Sequence, residues 1–350
     1  MRRYSLPLIA ALLAAAATAG LAAADDDERG DDDDGGRTYA VGLWGDVPYS
    51  PDQITRGVPN LIRDLNRHRL AFSVHDGDIK AGGSRCDNPV YAQAEAYFDA
   101  LRAPAAYTPG DNEWTDCDRP AAGAYSSRER LEYIRTTMFD TQFTWGRSRL
   151  RQEVQAAPFV ENRRWQVGRV TYATLHVVGS NNNLGDVAPD PAEWAERNAA
   201  TNAWMRETFA KAKARGSKAV MLFVQANPGF DQSDPTRAPT RDPRTLLPED
   251  GFYSFLTELR SEVIAFGRPV ALVHGDSHYF RVDKPLLDRN GFRIQEFTRI
   301  ETPGDNSPTG TTDNSNDVQW VKVTVDTGDE EVFSFEQEVV EANRSPAYTP

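Results

Sequence analysis

Five short polar clusters in this 350-residue sequence carry side chains that could bind a cation or move a proton. Each cluster follows an apolar run typical of a buried strand, and ligands in α/β proteins bind outside the carboxyl ends of such strands. Four of the five contain a Gly-Asp pair, in which glycine lets the backbone turn sharply beside a ligand. The clusters are Gly45-Asp46, Gly77-Asp78, Gly110-Asp111-Asn112-Glu113, Gln225-Ala226-Asn227 and Gly275-Asp276-Ser277-His278.

The charges in these clusters predict a metal site. A single Gly-Asp pair is more often a plain turn, but four at strand ends form a more specific pattern. If the strands share one sheet edge, at least four carboxylates converge there. Carboxylates that close cannot all stay ionised without a cation, because their like charges oppose one another. A divalent metal ion would resolve this repulsion.

The sequence between the clusters alternates buried strands with amphipathic helices, which predicts an α/β fold. After residue 280 the apolar pattern changes to a period of two, which is typical of half-buried strands and makes the sheet mixed. Residues 307–316 are polar and are expected to form a mobile loop. Strands are predicted at 38–44, 70–74, 105–107, 159–167, 169–178, 219–224, 270–273, 280–284, 292–299, 317–325 and 331–338, and helices at 54–65, 88–101, 127–138, 190–212 and 250–266.

The N-terminus has the features of an exported protein. Arg2 and Arg3 precede an apolar stretch that ends in small residues, so we interpret residues 1–24 as a signal peptide. Dense acidic charge in residues 25–37 favours a disordered linker. One domain is predicted over 38–340, with a tail over 341–350. We therefore expect a periplasmic or secreted protein that has no membrane attachment once the signal is cleaved.

The sequence contains two cysteines, Cys86 and Cys117. In an oxidising compartment a pair is more often joined than free, so we predict a disulfide. Two separate thiols are the weaker alternative. Each cysteine follows a Gly-Asp cluster, and a bridge would therefore tie two loops of the predicted site together.

Composition excludes several classes of function. With 52 acidic and 39 basic residues the formal net charge is −13, and a nucleic acid or an anionic membrane would repel the chain. A small phosphate-bearing substrate would need a local positive centre, and a metal ion is the simplest one. The sequence has no Gly-x-Ser-x-Gly motif, glycine-rich phosphate loop or zinc-type cysteine pairs.

Taken in order, the clusters resemble the sequence blocks of the calcineurin-like metallophosphoesterases. Those blocks read Asp-x-His, Gly-Asp, Gly-Asn-His-Glu, a His before a Pro, and Gly-His-x-His. The resemblance covers residues 38–340 and implies an α/β fold with two mixed β-sheets in a sandwich flanked by helices. It also implies two divalent metals and hydrolysis of a small phosphate ester by a metal-activated water. The alternative is a catalytically inactive exported binding protein on the same fold.

The resemblance implies a metal-ligand set in which oxygen has replaced most of the family's imidazoles. Asp78 would bridge the two ions, and Pro48 stands where the family has a His ligand. Gln225 is the alternative to Asn227 in its block. Because carboxylate and amide oxygens suit harder ions, we expect Mn, Mg or Ca rather than Zn or Fe. The predicted ligands are Asp46, Asp78, Asp111, Asn227, Asp276 and His278.

Several further side chains are candidates for catalysis or substrate binding. Asn112 stands where the family has a catalytic His; its amide could bind a phosphate oxygen but cannot act as an acid. His75 and His274 could orient ligands or donate a proton, although buried strand-end histidines with backbone partners are as common. Lys80 and Tyr49 are predicted to contact the substrate, against the alternatives of a solvated lysine and an ordinary aromatic beside a turn.

Overall fold

The computed structural model describes residues 38–230, 246–305 and 318–344. The predicted signal peptide, acidic linker and 307–316 loop, and the tail beyond residue 344, lie outside the described residues. None of the helices in the described ranges combines the length and the apolar character needed to cross a bilayer.

The described strands form two mixed sheets. In chain order they are β1 (Tyr39–Trp44), β2 (Leu70–His75), β3 (Ala105–Tyr107), β4 (Glu153–Val154), β5 (Arg163–Val167), β6 (Val170–Thr174), β7 (Ala219–Phe223), β8 (Val270–His274), β9 (Arg281–Asp283), β10 (Phe297–Glu301), β11 (Trp320–Val325) and β12 (Phe333–Glu338). The five-stranded sheet has the order β12-β11-β1-β2-β3, and the seven-stranded sheet has the order β4-β5-β6-β7-β8-β10-β9. The strands β1, β2 and β3 run parallel, as do β6, β7, β8 and β10.

Apolar side chains hold the two sheets face to face. Val41 and Phe72 of the five-stranded sheet pack in one buried cluster with Tyr172, Phe223 and Val273 of the seven-stranded sheet. The outer faces are covered by helices α1 (Val58–Leu65), α2 (Asn88–Ala100), α3 (Ser127–Thr137), α4 (Pro191–Ala214) and α5 (Tyr253–Phe266). The predicted sandwich of two mixed sheets flanked by helices is confirmed.

Local signals set the start of α4 and the end of α5 where the sequence predicted them, whereas α1 and α5 begin three or four residues later than predicted. The Asp190 side chain accepts a hydrogen bond from the Glu193 N–H at 3.0 Å and so caps α4. Gly267 follows α5 and has a φ of +61°, a left-handed conformation that often ends a helix and that glycine adopts without steric cost.

Several strand boundaries differ from the prediction. The strand predicted over 169–178 ends at Thr174, and the strand predicted over 317–325 begins at Trp320. Two more strands begin late because of turns. The strand predicted to begin at residue 159 begins at Arg163, because residues 156–162 form turns, including a Phe159 N–H to Ala156 carbonyl bond of 3.2 Å. The strand predicted at 292–299 begins at Phe297, since residues 288–293 close a turn between β9 and β10. In both places apolar residues in a turn imitate the alternation of a strand.

Candidate functional site

The carboxyl ends of the parallel strands in both sheets meet at one rim of the sandwich. Asp46, Asp78 and Asp111 follow β1, β2 and β3, whereas Gln225 and Asp276 follow β7 and β8. Several hydrogen bonds join the sheets there. The Asp276 N–H donates to Asp46 Oδ1 at 3.0 Å, and Gln225 Nε2 donates to Asp78 Oδ2 at 3.1 Å. The fold thus brings together the side chains of five separate sequence blocks. We call Asp46, Asp78, Asp111 and Asp276 the carboxylate cluster.

The backbone at this rim is strained. Asp46, Asp78 and Asp276 adopt φ values of +51°, +59° and +71°, in the left-handed region that residues other than glycine seldom occupy. Each such residue costs of order 1 kcal/mol and persists only where its surroundings fix it, which is most common at functional sites.

Asp78, at the centre of the cluster, accepts three hydrogen bonds. The Asn112 N–H donates to its Oδ1 at 3.2 Å, while Gln225 Nε2 and the Tyr49 hydroxyl each donate to Oδ2 at 3.1 Å. Oδ1 therefore keeps a free lone pair, whereas Oδ2 is fully used.

Asp46 and Asp111 have buried oxygens that no described residue satisfies. Asp46 Oδ2 and Asp111 Oδ1 are buried, and neither has a hydrogen-bond partner within the ranges that the structure describes. The other oxygen of Asp111, Oδ2, accepts a bond of 3.0 Å from Ser180 Oγ. A buried carboxylate oxygen without a partner is costly, and a bound cation would satisfy it.

The charges of the cluster act on one another. Burial and the charges of Asp111 and Asp46 raise the pKa of Asp78 well above its usual value. Burial and the charge of Asp111 likewise raise the pKa of Asp276 to about 8. Burial alone would lower the pKa of His278, but its Nε2 lies 3.4 Å from Asp46 Oδ1 and this contact raises the pKa to about 9. His278 therefore brings one positive charge to the cluster, and the charge of the buried Lys80 also acts on Asp78 and Asp111. Without a cation, the raised pKa values of Asp78 and Asp276 favour the protonated form of both carboxyl groups, and a bound cation would take the place of those protons.

The predicted two-metal centre is not preformed. Across the described ranges, no three His, Cys, Asp or Glu side chains are arranged to hold a metal ion. The Tyr49 hydroxyl lies 3.1 Å from Asp78 Oδ2 and 3.5 Å from Asp46 Oδ1, and Pro48 offers no ligand atom. The second ion implied by the resemblance does not fit this arrangement. The donor chemistry suits one hard cation, because buried oxygens of Asp46 and Asp111 have no partner among the described residues, but the four carboxyl groups would have to rearrange to enclose it.

Gln225 and Asn227, the two alternatives for one ligand position, differ in direction. Gln225 contacts Asp78, as described above. The Asn227 amide instead donates to Ser277 Oγ at 2.5 Å and accepts from the Gly229 N–H at 2.9 Å. This geometry favours Gln225 as the member of that block that faces the cluster.

Tyr49 and Asn112 both lie at the cluster; their predicted contact with a substrate stays a prediction. Asn112 Nδ2 donates to the Tyr49 hydroxyl at 2.9 Å, and the Tyr49 ring meets the His278 ring edge to face with centroids 5.2 Å apart. Burial and the charges of Asp78 and Asp46 raise the pKa of Tyr49 well above its usual value, so the hydroxyl stays protonated.

Lys80, His75 and His274 are all buried beside the cluster. Lys80 is 3% exposed and its Nζ donates to the Ala81 carbonyl at 3.0 Å. His75 packs against Trp44 and accepts from the Gly77 N–H at 3.2 Å, and burial lowers its pKa to about 4. His274 Nδ1 lies 2.9 Å from the Gly275 carbonyl oxygen. Both histidines have the backbone partners that the sequence left open as the structural alternative.

The predicted disulfide joins Cys86 to Cys117, with Cα atoms 5.7 Å apart. Both sulfurs lie 3.8 Å from the Asn112 carbonyl oxygen, so the bridge packs directly behind one of the candidate site residues. This prediction is confirmed.

Glu113 fixes two of the rim loops. Its Oε1 accepts from the Asp78 N–H at 3.2 Å, the Gly110 N–H at 2.7 Å and the Tyr107 hydroxyl at 2.6 Å. The sequence placed Glu113 in its block without a role. Ser180 was not predicted at all, although the run Gly-Ser-Asn-Asn-Asn directly after a strand was an available signal.

Comparisons with known proteins give the fold. No protein-family profile and no curated protein matches the sequence. Among solved structures, the purple acid phosphatase PPD1 of yellow lupin (Lupinus luteus) has a TM-score of 0.51 at 12% identity, covering 87% of this chain and 54% of that one. GAP50 of Plasmodium, described as the anchor in the inner membrane complex, has a TM-score of 0.47 at 11% identity, covering 87% and 89%.

This chain spans about half the length of the lupin phosphatase, and at 12% identity the likeness concerns the fold alone. The chain has the fold of the calcineurin-like metallophosphoesterases, which confirms the resemblance seen in its sequence blocks.

Proposed function

We propose that this protein is an exported phosphoester hydrolase that depends on one hard divalent cation at the rim of the two sheets. The observation that carries the proposal is the carboxylate cluster, in which burial and neighbouring carboxylates raise the pKa of Asp78 and Asp276 and the buried oxygens of Asp46 and Asp111 have no partner among the described residues. Asp46, Asp78, Asp111 and Asp276 would hold the cation. When bound, it would neutralise phosphate charge and lower the pKa of a water.

The chain's own residues would position the substrate. Tyr49 and Asn112 present a hydroxyl and an amide at the cluster, and both can hydrogen-bond a phosphoryl oxygen. Neither group gives up a proton readily: an amide is not an acid, and the pKa of Tyr49 is raised by burial. Neither residue would therefore act as a general acid that protonates the leaving group. We expect esters with good leaving groups to be the better substrates.

Export is supported by two independent features. The N-terminal sequence has the charge and apolar pattern of a signal peptide. The Cys86–Cys117 disulfide is consistent with an oxidising compartment such as the periplasm or the extracellular space.

A second candidate function is a non-catalytic binding protein on the same fold. One observation favours this function. Tyr49 and Gln225 donate hydrogen bonds to Asp78 at the place where the resemblance implies a second ion. A site filled by its own hydrogen bonds can be stable without any metal.

Hydrolysis assays separate the two functions. Protein purified without chelator is assayed against p-nitrophenyl phosphate and bis(p-nitrophenyl) phosphate, with and without added Mn²⁺. The proposal predicts turnover of at least one ester that EDTA abolishes and Mn²⁺ restores, and that Asp276→Asn loses. Turnover that resists EDTA would contradict the cation dependence. Absence of turnover with Mn²⁺ bound would favour the binding protein.

A further inference from the structure

Four residues beyond the end of β6, the chain makes a turn of unusual hand. Ser180, Asn181, Asn182 and Asn183 have φ values of +51°, +52°, +56° and +73°, so four consecutive residues other than glycine are left-handed. We call residues 179–183 the left-handed turn. L-residues visit this region singly, at a cost of roughly 1–2 kcal/mol each, so a run of four requires strong support from its surroundings.

Hydrogen bonds from Arg197 of α4 hold this turn on one side. Its side chain is 1% exposed, and its guanidinium donates to Asn182 Oδ1 at 2.6 Å and to the Asn182 carbonyl at 3.2 Å. Glu193 holds the guanidinium through a bond of 2.6 Å and also accepts from Asn183 Nδ2 at 2.9 Å. A buried, bidentate ion pair thus clamps the turn in one conformation.

On its other side the left-handed turn reaches two members of the carboxylate cluster. Ser180 Oγ donates to Asp111 Oδ2 at 3.0 Å. The Gly179 N–H donates to Gln225 Oε1 at 2.7 Å, and Gln225 Nε2 in turn donates to Asp78 Oδ2 at 3.1 Å. The turn follows β6 of the seven-stranded sheet, whereas Asp78 and Asp111 follow strands of the five-stranded sheet. It therefore fixes side chains across the junction between the sheets.

Gly179 is packed so closely against Asp111 that no side chain fits. A Cβ atom built on Gly179 would lie 2.6 Å from Asp111 Oδ2 and 2.7 Å from Oδ1, well inside van der Waals contact. The close approach of backbone to carboxylate leaves Asp111 little freedom to rotate.

We propose that the left-handed turn is a positioning element for the cation site, in which Ser180 and Gly179 set the orientation of the Asp111 carboxylate and Gln225 sets that of Asp78. This inference rests on the proposed function. Groups that hydrogen-bond to a metal ligand hold it in a productive orientation, and their loss typically costs 10–100-fold in metal affinity.

The test compares Mn²⁺ binding in the full-length protein and in Ser180→Ala and Gly179→Ala, measured by titration calorimetry and by the electron paramagnetic resonance signal of bound Mn²⁺. The matched control is Gly83→Ala, because a Cβ atom there meets no atom of the described residues within 4 Å. We expect Ser180→Ala to weaken Mn²⁺ affinity by roughly 10-fold or more at an unchanged melting temperature. Gly179→Ala should weaken it further, and Gly83→Ala should not change it.

The outcomes distinguish the inference from the function on which it rests. Wild-type affinity in Ser180→Ala would overturn the positioning role and leave the proposed function standing. A wild-type protein that binds no Mn²⁺ would overturn the proposed function and the positioning role together. If Gly179→Ala fails to fold, Ser180→Ala decides alone, since it removes one hydroxyl from a half-buried position.

Discussion

Loss of the Cys86–Cys117 bridge should destabilise the protein by an amount that its loop length sets. The bridged residues are 31 positions apart. In the chain-entropy treatment, opening a loop of that length lowers the free energy of unfolding by ~3.7 kcal/mol at 25 °C. For a domain of roughly 300 residues, that corresponds to a fall of about 6 °C in the melting temperature.

The assay compares the same wild-type chain refolded with and without reductant, so that the two samples differ only in the bond. Thiol state is checked by mass spectrometry, and melting is followed by calorimetry. A Cys86→Ala/Cys117→Ala variant is the control, since its melting temperature should not respond to reductant. Because both sulfurs contact the Asn112 carbonyl, the reduced protein should also bind Mn²⁺ more weakly. Equal melting temperatures for the oxidised and reduced wild type would refute this reasoning.

Three further predictions concern the site and its support. Asp78→Asn should lose most of the bound cation while the fold stays intact, because the substitution removes the central charge of the cluster. Elemental analysis measures the cation and circular dichroism checks the fold; an unchanged cation stoichiometry would contradict the site assignment. Apo-protein should regain activity with Mn²⁺, Mg²⁺ or Ca²⁺ rather than with Zn²⁺ or iron, and rescue by Zn²⁺ alone would show that the oxygen ligands were misread. Burial alone would raise the pKa of Glu161, but hydrogen bonds from His176 and Arg135 lower this pKa from 4.5 to about 2. The lowered pKa stabilises the folded state by roughly 3 kcal/mol above pH 4.5. This contribution to the free energy of unfolding should disappear as the pH falls from 4.5 to 2. A Glu161→Gln variant that loses the same amount of stability over that pH range would show that Glu161 is not the cause.

The sequence was sufficient for the sheet framework because burial leaves a strong periodic signal. The parallel strands β7 and β8 are continuous apolar runs, and Asp190 and Gly267 mark helix ends by chemistry that acts within a few residues. Boundaries failed where apolar residues lie in turns, as before β5 and β10.

The cluster was predictable only as a set of strand ends. Its carboxylates come from both sheets, and the pairing of those strand ends follows from topology, since parallel strands end on the same side. The direction of each side chain was not predictable. Gln225 and Asn227 are two residues apart and point to different partners, and the Tyr49 hydroxyl reaches Asp78 from a separate loop.

The left-handed turn shows what sequence patterns leave out. Asparagine enters the left-handed region more readily than other residues with a side chain, but it does so singly, so local propensity does not predict four such residues in a row. The conformation depends on Arg197, which is distant in sequence and becomes a partner only when α4 packs on the seven-stranded sheet.

Anomalous scattering would locate a bound cation in the proposed site. Crystals of the full-length protein grown without chelator and soaked in Mn²⁺ would be measured at the manganese absorption edge, where the signal identifies the ion and its position. We expect one anomalous peak among Asp46, Asp78, Asp111 and Asp276. Two peaks of equal height bridged by Asp78 would contradict the single-cation site, and no peak at a saturating Mn²⁺ concentration would contradict the cation site altogether.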